Sequence, residues 1–236
     1  MKFAITADQR QYFHQHQLLE LEGLLSGSQI KHLTSAIEAS VFKKKDTPGV
    51  KYINLPVDEL FMAGYDVWRT DPAIAKIVTD VKYAEIAGEL THSRILRLGY
   101  DQWFPANPVE PRKKSADSLY YKMLSKTASL RNVCCLQGVR CGIMLCLSDS
   151  NIASDTPYEG VFSHTAGNGV FIAPERGIDF TTLLNRPGQQ FLLIVYTEKT
   201  TLYTMQEGDP HVHELKRLGY VFGDRLNDRL NPIIYR

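Results

Sequence analysis

The sequence lacks an excess of either charge: 27 Lys plus Arg stand against 26 Asp plus Glu, a formal net charge of +1. That balance removes any global electrostatic attraction to nucleic acid or an acidic membrane. Long hydrophobic runs are also missing. The apolar stretch Phe191 to Tyr196 falls far short of the ~18 residues that span a bilayer, and MKFAITADQR is too polar for a signal peptide. Cysteine is sparse. All four lie between Cys134 and Cys146, whereas a disulfide framework spreads its cysteines to tie distant loops together. Adjacent Cys134 and Cys135 on an extended strand point to opposite faces and cannot both ligate one metal, so the segment Val133 to Leu147 reads as buried strand with core thiols. A soluble, cytoplasmic protein in a reducing compartment is expected.

What the sequence does have is ample core material. Hydrophobic residues make up 44% and aromatics 10% of 236 residues, enough for one large domain. The first third reads as helical. A short polar helix is expected over residues 8–17, and Ser26-Gly27-Ser28 caps a second from Gln29 to Phe42 with Ile30, Leu33, Ile37 and Val41 on one face. Lys43-Lys44-Lys45 then reads as a solvated C-terminal turn. A third helix is expected from Val57 to Trp68, and Asp71-Pro72 supplies N-cap and N1 of a fourth carrying Ile74, Ile77, Val78 and Val81. Tyr83 to Leu90 forms a fifth. After Thr91 the period changes to two: strands are expected at Ile95–Tyr100, Ile143–Leu147, Gly169–Ala173, Phe191–Tyr196, Thr200–Met205 and Ile233–Tyr235. Residues 105–118 form a long, polar, Pro-rich connection. The whole is one domain, residues 1–236, with 1–92 mostly helical and 93–236 mostly β.

This order of elements carries a resemblance. Phe13 to Ser40, with its Gly23-Leu24-Leu25 turn, is similar to the opening of the phytanoyl-CoA dioxygenase-like branch of Fe(II)/2-oxoglutarate oxygenases. Residues 71–104 resemble that branch's paired helices and first barrel strand. Gly167-Asn168-Gly169-Val170-Phe171-Ile172-Ala173-Pro174 and Arg186-Pro187-Gly188 are similar to two later segments of it. The chain also resembles an uncharacterised chlamydial family to which a divalent-cation-dependent regulator role has been attached. The resemblance implies an α+β fold: a double-stranded β-helix, or jelly roll, with the N-terminal helices packed on one sheet. It also implies Fe(II) and 2-oxoglutarate as cofactors, held by an H-x-D or H-x-E pair with a distal His.

The residues do not follow the resemblance into the site. Two positions after the successive histidines stand His16, Leu18, Thr34, Arg94, Ala166, His213 and Leu215, none of them a carboxylate. Between Tyr100 and Leu136, where the resemblance places the first ligands, there is no histidine. No catalytic residue and no cofactor is therefore assigned, and the expected role is a non-catalytic binding or regulatory protein on an oxygenase-like scaffold. Two alternatives stay open. An active oxygenase with unorthodox ligands could draw on His164, His211 and His213, His164-Thr165-Ala166 being the H-x-A variant that certain halogenases of this fold use. A metal-responsive transcriptional regulator would use Ala73 to Arg94 as a helix-turn-helix, but its second helix carries Glu85 and Glu89, which phosphate repels. His211 and His213 read as exposed loop residues, Asp209-Pro210 marking a loop or helix start. Tyr100, Trp103 and Phe104 are expected to line or cover the barrel mouth, where Arg225 or Arg229 offers a fork for a small acidic ligand.

Overall fold

The computed structural model describes residues 4–44, 57–106, 127–150, 160–185 and 188–236. Five helices and eight strands follow in chain order among them. The helices are α1 (Ala7–His16), α2 (Gly27–Lys44), α3 (Val57–Ala63), α4 (Pro72–Val78) and α5 (Val81–Thr91). Strand β1 (Leu18–Leu21) sits between α1 and α2; after α5 come β2 (Leu96–Phe104), β3 (Thr127–Ala128), β4 (Leu136–Cys146), β5 (Gly169–Ile172), β6 (Ile178–Asp179), β7 (Phe191–Tyr203) and β8 (Ile233–Tyr235). Local signals place the helix starts. Thr6 and Gln9 form a capping box on α1. Ser26 Oγ accepts from Gln29 N while Gln29 Oε1 accepts from Ser26 N ahead of α2. Asp71 Oδ1 accepts from Ala73 N at the head of α4, with Pro72 in the first turn, where its missing N–H costs nothing.

Six strands form one antiparallel sheet in the order β1-β5-β4-β7-β2-β8. Its two faces are both buried, which is why the strands read as near-continuous apolar runs. Cross-strand partners Ile143 and Ile194, and Leu145 and Leu192, join the helical side with Ile37, Val41, Ile74 and Leu90. The alternate partners Met144 and Leu193, and Cys146 and Phe191, join the opposite side with Phe162, Phe180 and Tyr203. The β3–β6 pair lies on that opposite side and contributes Ala128 and Ile178 to its core. The architecture is thus mixed: helices brace one face of an antiparallel sheet, and a smaller strand pair covers the other. No described helix is long and apolar enough to cross a membrane.

Four expectations about elements need correction, the first being Val81, expected on the apolar face of α4, which instead opens α5 and is exposed. The helix expected over Val57 to Trp68 stops at Ala63, because Gly64 lies against β2: Gly64 O accepts from Trp103 N at 2.9 Å, and a Cβ on Gly64 would sit 2.9 Å from Trp103 O. The chain resumes as a short 3-10 helix, Val67–Arg69, after Asp66 in the left-handed region at φ 51°. The strands expected at Phe191–Tyr196 and Thr200–Met205 are one, since β7 runs unbroken through polar Thr197–Lys199. Finally, Cys134 and Cys135 precede β4 in a bend, so the opposite-faces argument does not apply and both thiols fall in the same core. The connection at 105–118 lies, beyond Ala106, outside the described residues.

Candidate functional site

Strand β2 carries three of the aromatic candidates, and a bulge decides where they point. Leu98 pairs with Tyr196 and Tyr100 with Val195, so register shifts by one at Gly99. Such a shift exchanges faces. Leu98 faces the helices, whereas Tyr100 and Phe104 face the opposite core. Trp103, one residue out of phase, returns to the helical side and is fully buried, with Nε1 donating to Gln190 Oε1 at 3.3 Å. The expectation that Tyr100, Trp103 and Phe104 share a mouth is therefore corrected: the sheet separates Trp103 from the other two, and all three are core. Arg225 and Arg229 do not join them either. Both are exposed on the C-terminal loop, with Arg225 bridging Leu202.

The guanidinium the fold does bury is Arg97, an assignment sequence reasoning missed. It is 2% exposed, donates to Asp228 Oδ1 at 2.6 Å and to Asn231 O, and so ties the C-terminal loop to β2. A charged residue inside a strand, flanked by Leu96 and Leu98, was the available signal.

The histidines are also scattered. His213 is exposed, 6.0 Å from the Phe222 ring centroid, and His164 is half-buried in the loop before β5. His211 corrects the exposed-loop reading, because it is 4% exposed. Its ring stacks on Tyr65 at 4.3 Å, and Tyr65 in turn stacks on Tyr100 at 5.3 Å; Phe61 lies 5.3 Å from the imidazole. Asp209 fixes the backbone of this loop, its carboxylate accepting from His211 N at 2.7 Å and from Cys135 N at 2.6 Å. Neither ring nitrogen of His211 has a hydrogen-bond partner. Burial, with the Lys44 charge behind it, pushes the imidazole down to about 3, so it stands neutral. Burial likewise raises Asp209 and holds the Cys134 and Cys135 thiols protonated. A cavity of only about 20 Å³ remains among Phe61, Tyr100, Gln102, Phe104, Phe180 and His211.

A larger opening of about 490 Å³ lies on the far side of Tyr65. Its walls come from the end of α2, from α3 and the 3-10 helix after it, and from a second 3-10 helix, Glu214–Leu218. Lys44, expected in a solvated turn, is exposed, yet its ammonium turns inward here, donating to Ala63 O at 3.1 Å and to Tyr65 O at 2.5 Å. Burial lowers its pKa, opposed by Asp101 and Asp66. Asp66 accepts from Arg69 Nε at 2.8 Å and from Trp68 Nε1 at 3.2 Å. Behind it Asp101 is wholly buried, with Oδ1 accepting from Trp68 N and Oδ2 unpartnered; burial first and Asp66 second raise it well above the usual carboxylate range.

The donors present do not fit an iron centre. Among the described residues no three His, Cys, Asp or Glu side chains converge as metal ligands. The sheet face opposite the helices is filled by Tyr100, Phe104, Phe162, Phe180, Phe191 and Leu193. Helices α4 and α5 bury Ile74, Tyr83, Ile86 and Leu90 on the other face, and so act as braces of the sheet.

No protein-family model matches the sequence, and no curated protein is significantly similar to it. Solved structures are. The non-heme alpha ketoglutarate dependent carbocyclase SnoK from nogalamycin biosynthesis aligns over 97% of this chain and 96% of its own, at 13% identity and TM-score 0.64. The epimerase SnoN, in complex with Fe3+, alpha ketoglutarate and nogalamycin RO, aligns over 96% and 97% at 14% identity and TM-score 0.63. CT296 from Chlamydia trachomatis aligns over 84% of this chain and 99% of its own at 18% identity, with a TM-score of 0.48 that is too low to argue from. The SnoK and SnoN likenesses bear out the resemblance to 2-oxoglutarate oxygenases at the level of fold.

Proposed function

We propose that the chain is a non-catalytic binding or regulatory protein on a double-stranded β-helix of the Fe(II)/2-oxoglutarate oxygenase type. One observation carries the reading: the sheet face opposite the helices is packed with aromatic and aliphatic side chains, and the buried histidine near it, His211, belongs to no group of three metal-ligating side chains among the described residues. A metal trio needs converging donors and an open face for co-substrate, and apolar packing supplies neither. The second reading, an oxygenase with unorthodox ligands, draws its support from His211 alone, a buried imidazole with both nitrogens unpartnered.

Anaerobic titration with Fe(II) in the presence of 2-oxoglutarate, followed by elemental analysis of the desalted protein, separates the two. The expected outcome is no retained iron. One iron per chain, abolished in His211→Ala, would establish the second reading and overturn the first.

A further inference from the structure

The opening beside Tyr65 has the volume of a small-molecule site and an unusual cation in its wall. Lys44 is an exposed residue whose ammonium nevertheless turns inward, its hydrogen bonds going to two neutral carbonyls, Ala63 O and Tyr65 O. Among the described residues no carboxylate lies within ion-pair distance of it. An ammonium has three protons to donate, so one is left for something in the cavity. The neighbouring charges do not cancel it. Arg69 is matched by Asp66 at 2.8 Å and Arg217 by Glu214 at 2.9 Å, which leaves the Lys44 charge in excess among the lining residues. A bound anion would take that remaining proton and meet the local excess of positive charge among the described lining residues. The remaining wall is apolar, with Met62 on one side and Leu218 on the other. A bare inorganic ion would leave those two surfaces unused.

We propose that this cavity binds a small organic acid, its carboxylate taking the third hydrogen bond of Lys44 and its aliphatic body lying between Met62 and Leu218. The proposal rests on the binding-protein reading and names the ligand class. It also moves that ligand away from Arg225 and Arg229 to the opening beside Tyr65.

The test uses the full chain and a homologous series: acetate, butanoate and hexanoate, with hexylammonium and inorganic phosphate as controls, read by thermal shift and calorimetry. Hexanoate at ten times its dissociation constant is expected to raise the midpoint by about 3–5 °C, with acetate weaker and hexylammonium silent. Lys44→Met keeps the side chain's length and removes its charge, and is expected to lose the response. Should that variant not fold, Leu218→Asp at a half-buried position is expected to abolish hexanoate binding while leaving the fold intact. A response to phosphate alone, equal responses to hexanoate and hexylammonium, or binding undiminished in Lys44→Met or Leu218→Asp would overturn the proposal. Retained iron in the titration above would instead strike at the non-catalytic reading, so the two failures are distinguishable.

Discussion

Single side chains in this protein are buried against their chemistry, and His211 is the sharpest case. Its imidazole is packed between Tyr65 and Phe61 with no hydrogen bond at either nitrogen. The folded form therefore resists protonation: the pKa falls from an ordinary 6.5 to about 3. As pH drops, the unfolded chain takes up this proton first, so the stability present in full above pH 6.5 is lost as pH falls toward 3. The whole window is worth roughly 3–5 kcal/mol. Asp101 works in the opposite sense. Its raised pKa contributes stability below the ordinary 3.8, and that stability is lost as pH rises through the folded value. His211→Phe removes one side of this opposition and also the two unpartnered nitrogens, which an apolar ring does not carry. Urea unfolding at pH 7 and pH 5 is expected to show wild type weaker at pH 5 and His211→Phe unchanged or stronger there. Equal losses in both proteins would mean that His211 is not the titrating group. Little of this was legible in the sequence. His-Val-His after Asp-Pro reads as a loop surface, and only the distant partners Tyr65 and Phe61 bury one of its two histidines.

At the scale of elements, the strand that decides the site is β2, and its geometry depends on a partner far along the chain. The bulge at Gly99 leaves the carbonyls of Leu98 and Gly99 for a side chain to satisfy, and Asn231 Nδ2 donates to them at 3.2 and 2.7 Å. Asn231 Oδ1 in turn accepts from Tyr220 OH at 3.1 Å. Asn231→Ala removes this partner from the two carbonyls and from the Tyr220 hydroxyl, which keeps only the bond it accepts from Asn227 N, and is expected to cost about 2–4 kcal/mol by chemical denaturation, with the m-value unchanged. A cost below about 0.5 kcal/mol would show that the bulge stands without this clamp. The bulge also explains what sequence patterning read well and what it did not. Capping chemistry marked Ser26 and Asp71-Pro72, and the apolar faces of α2 and α4 followed from spacing alone, because those are local properties. β8 was legible end to end as Ile233–Tyr235. Tyr100 and Trp103 looked like neighbours on one aromatic patch, yet alternation along the strand puts them on opposite faces, and the one-residue shift at Gly99 decides which face each takes. No local residue announces that shift except a glycine, and Gly99 looks like many others. Lys44 was lost for the same reason: a lysine run normally ends a helix in solvent, and here a carbonyl pair from the α3 turn captures one member.

For the molecule as a whole, the sheet is a shared wall between two cores, and the four buried cysteines sample both. Cys141 lies in the helical core, whereas Cys134, Cys135 and Cys146 lie in the opposite one. Burial pushes the Cys141 thiol up to about 12 and raises Cys134 and Cys135 as well, so these three present no thiolate, and Cys146 is fully buried from a disulfide reagent. Reaction must then wait for opening, and the order of reaction reports how the cores come apart. Two features argue that they open together. Strands β4 and β7, paired from Leu136–Tyr203 to Cys146–Phe191, supply side chains to both cores at alternate residues. Removing the helices would also expose Ile143, Leu145, Leu192 and Ile194 at once, an apolar surface too extensive to leave in water. Labelling in mild denaturant is therefore expected to proceed in a single phase to four thiols per chain, with a rate that tracks the unfolded fraction. If Cys141 reacted early while the other three stayed protected, the helices would be a separately opening layer. The reverse order would assign that freedom to the β3–β6 side, and in either case the two cores would not be the single cooperative unit that their common wall implies.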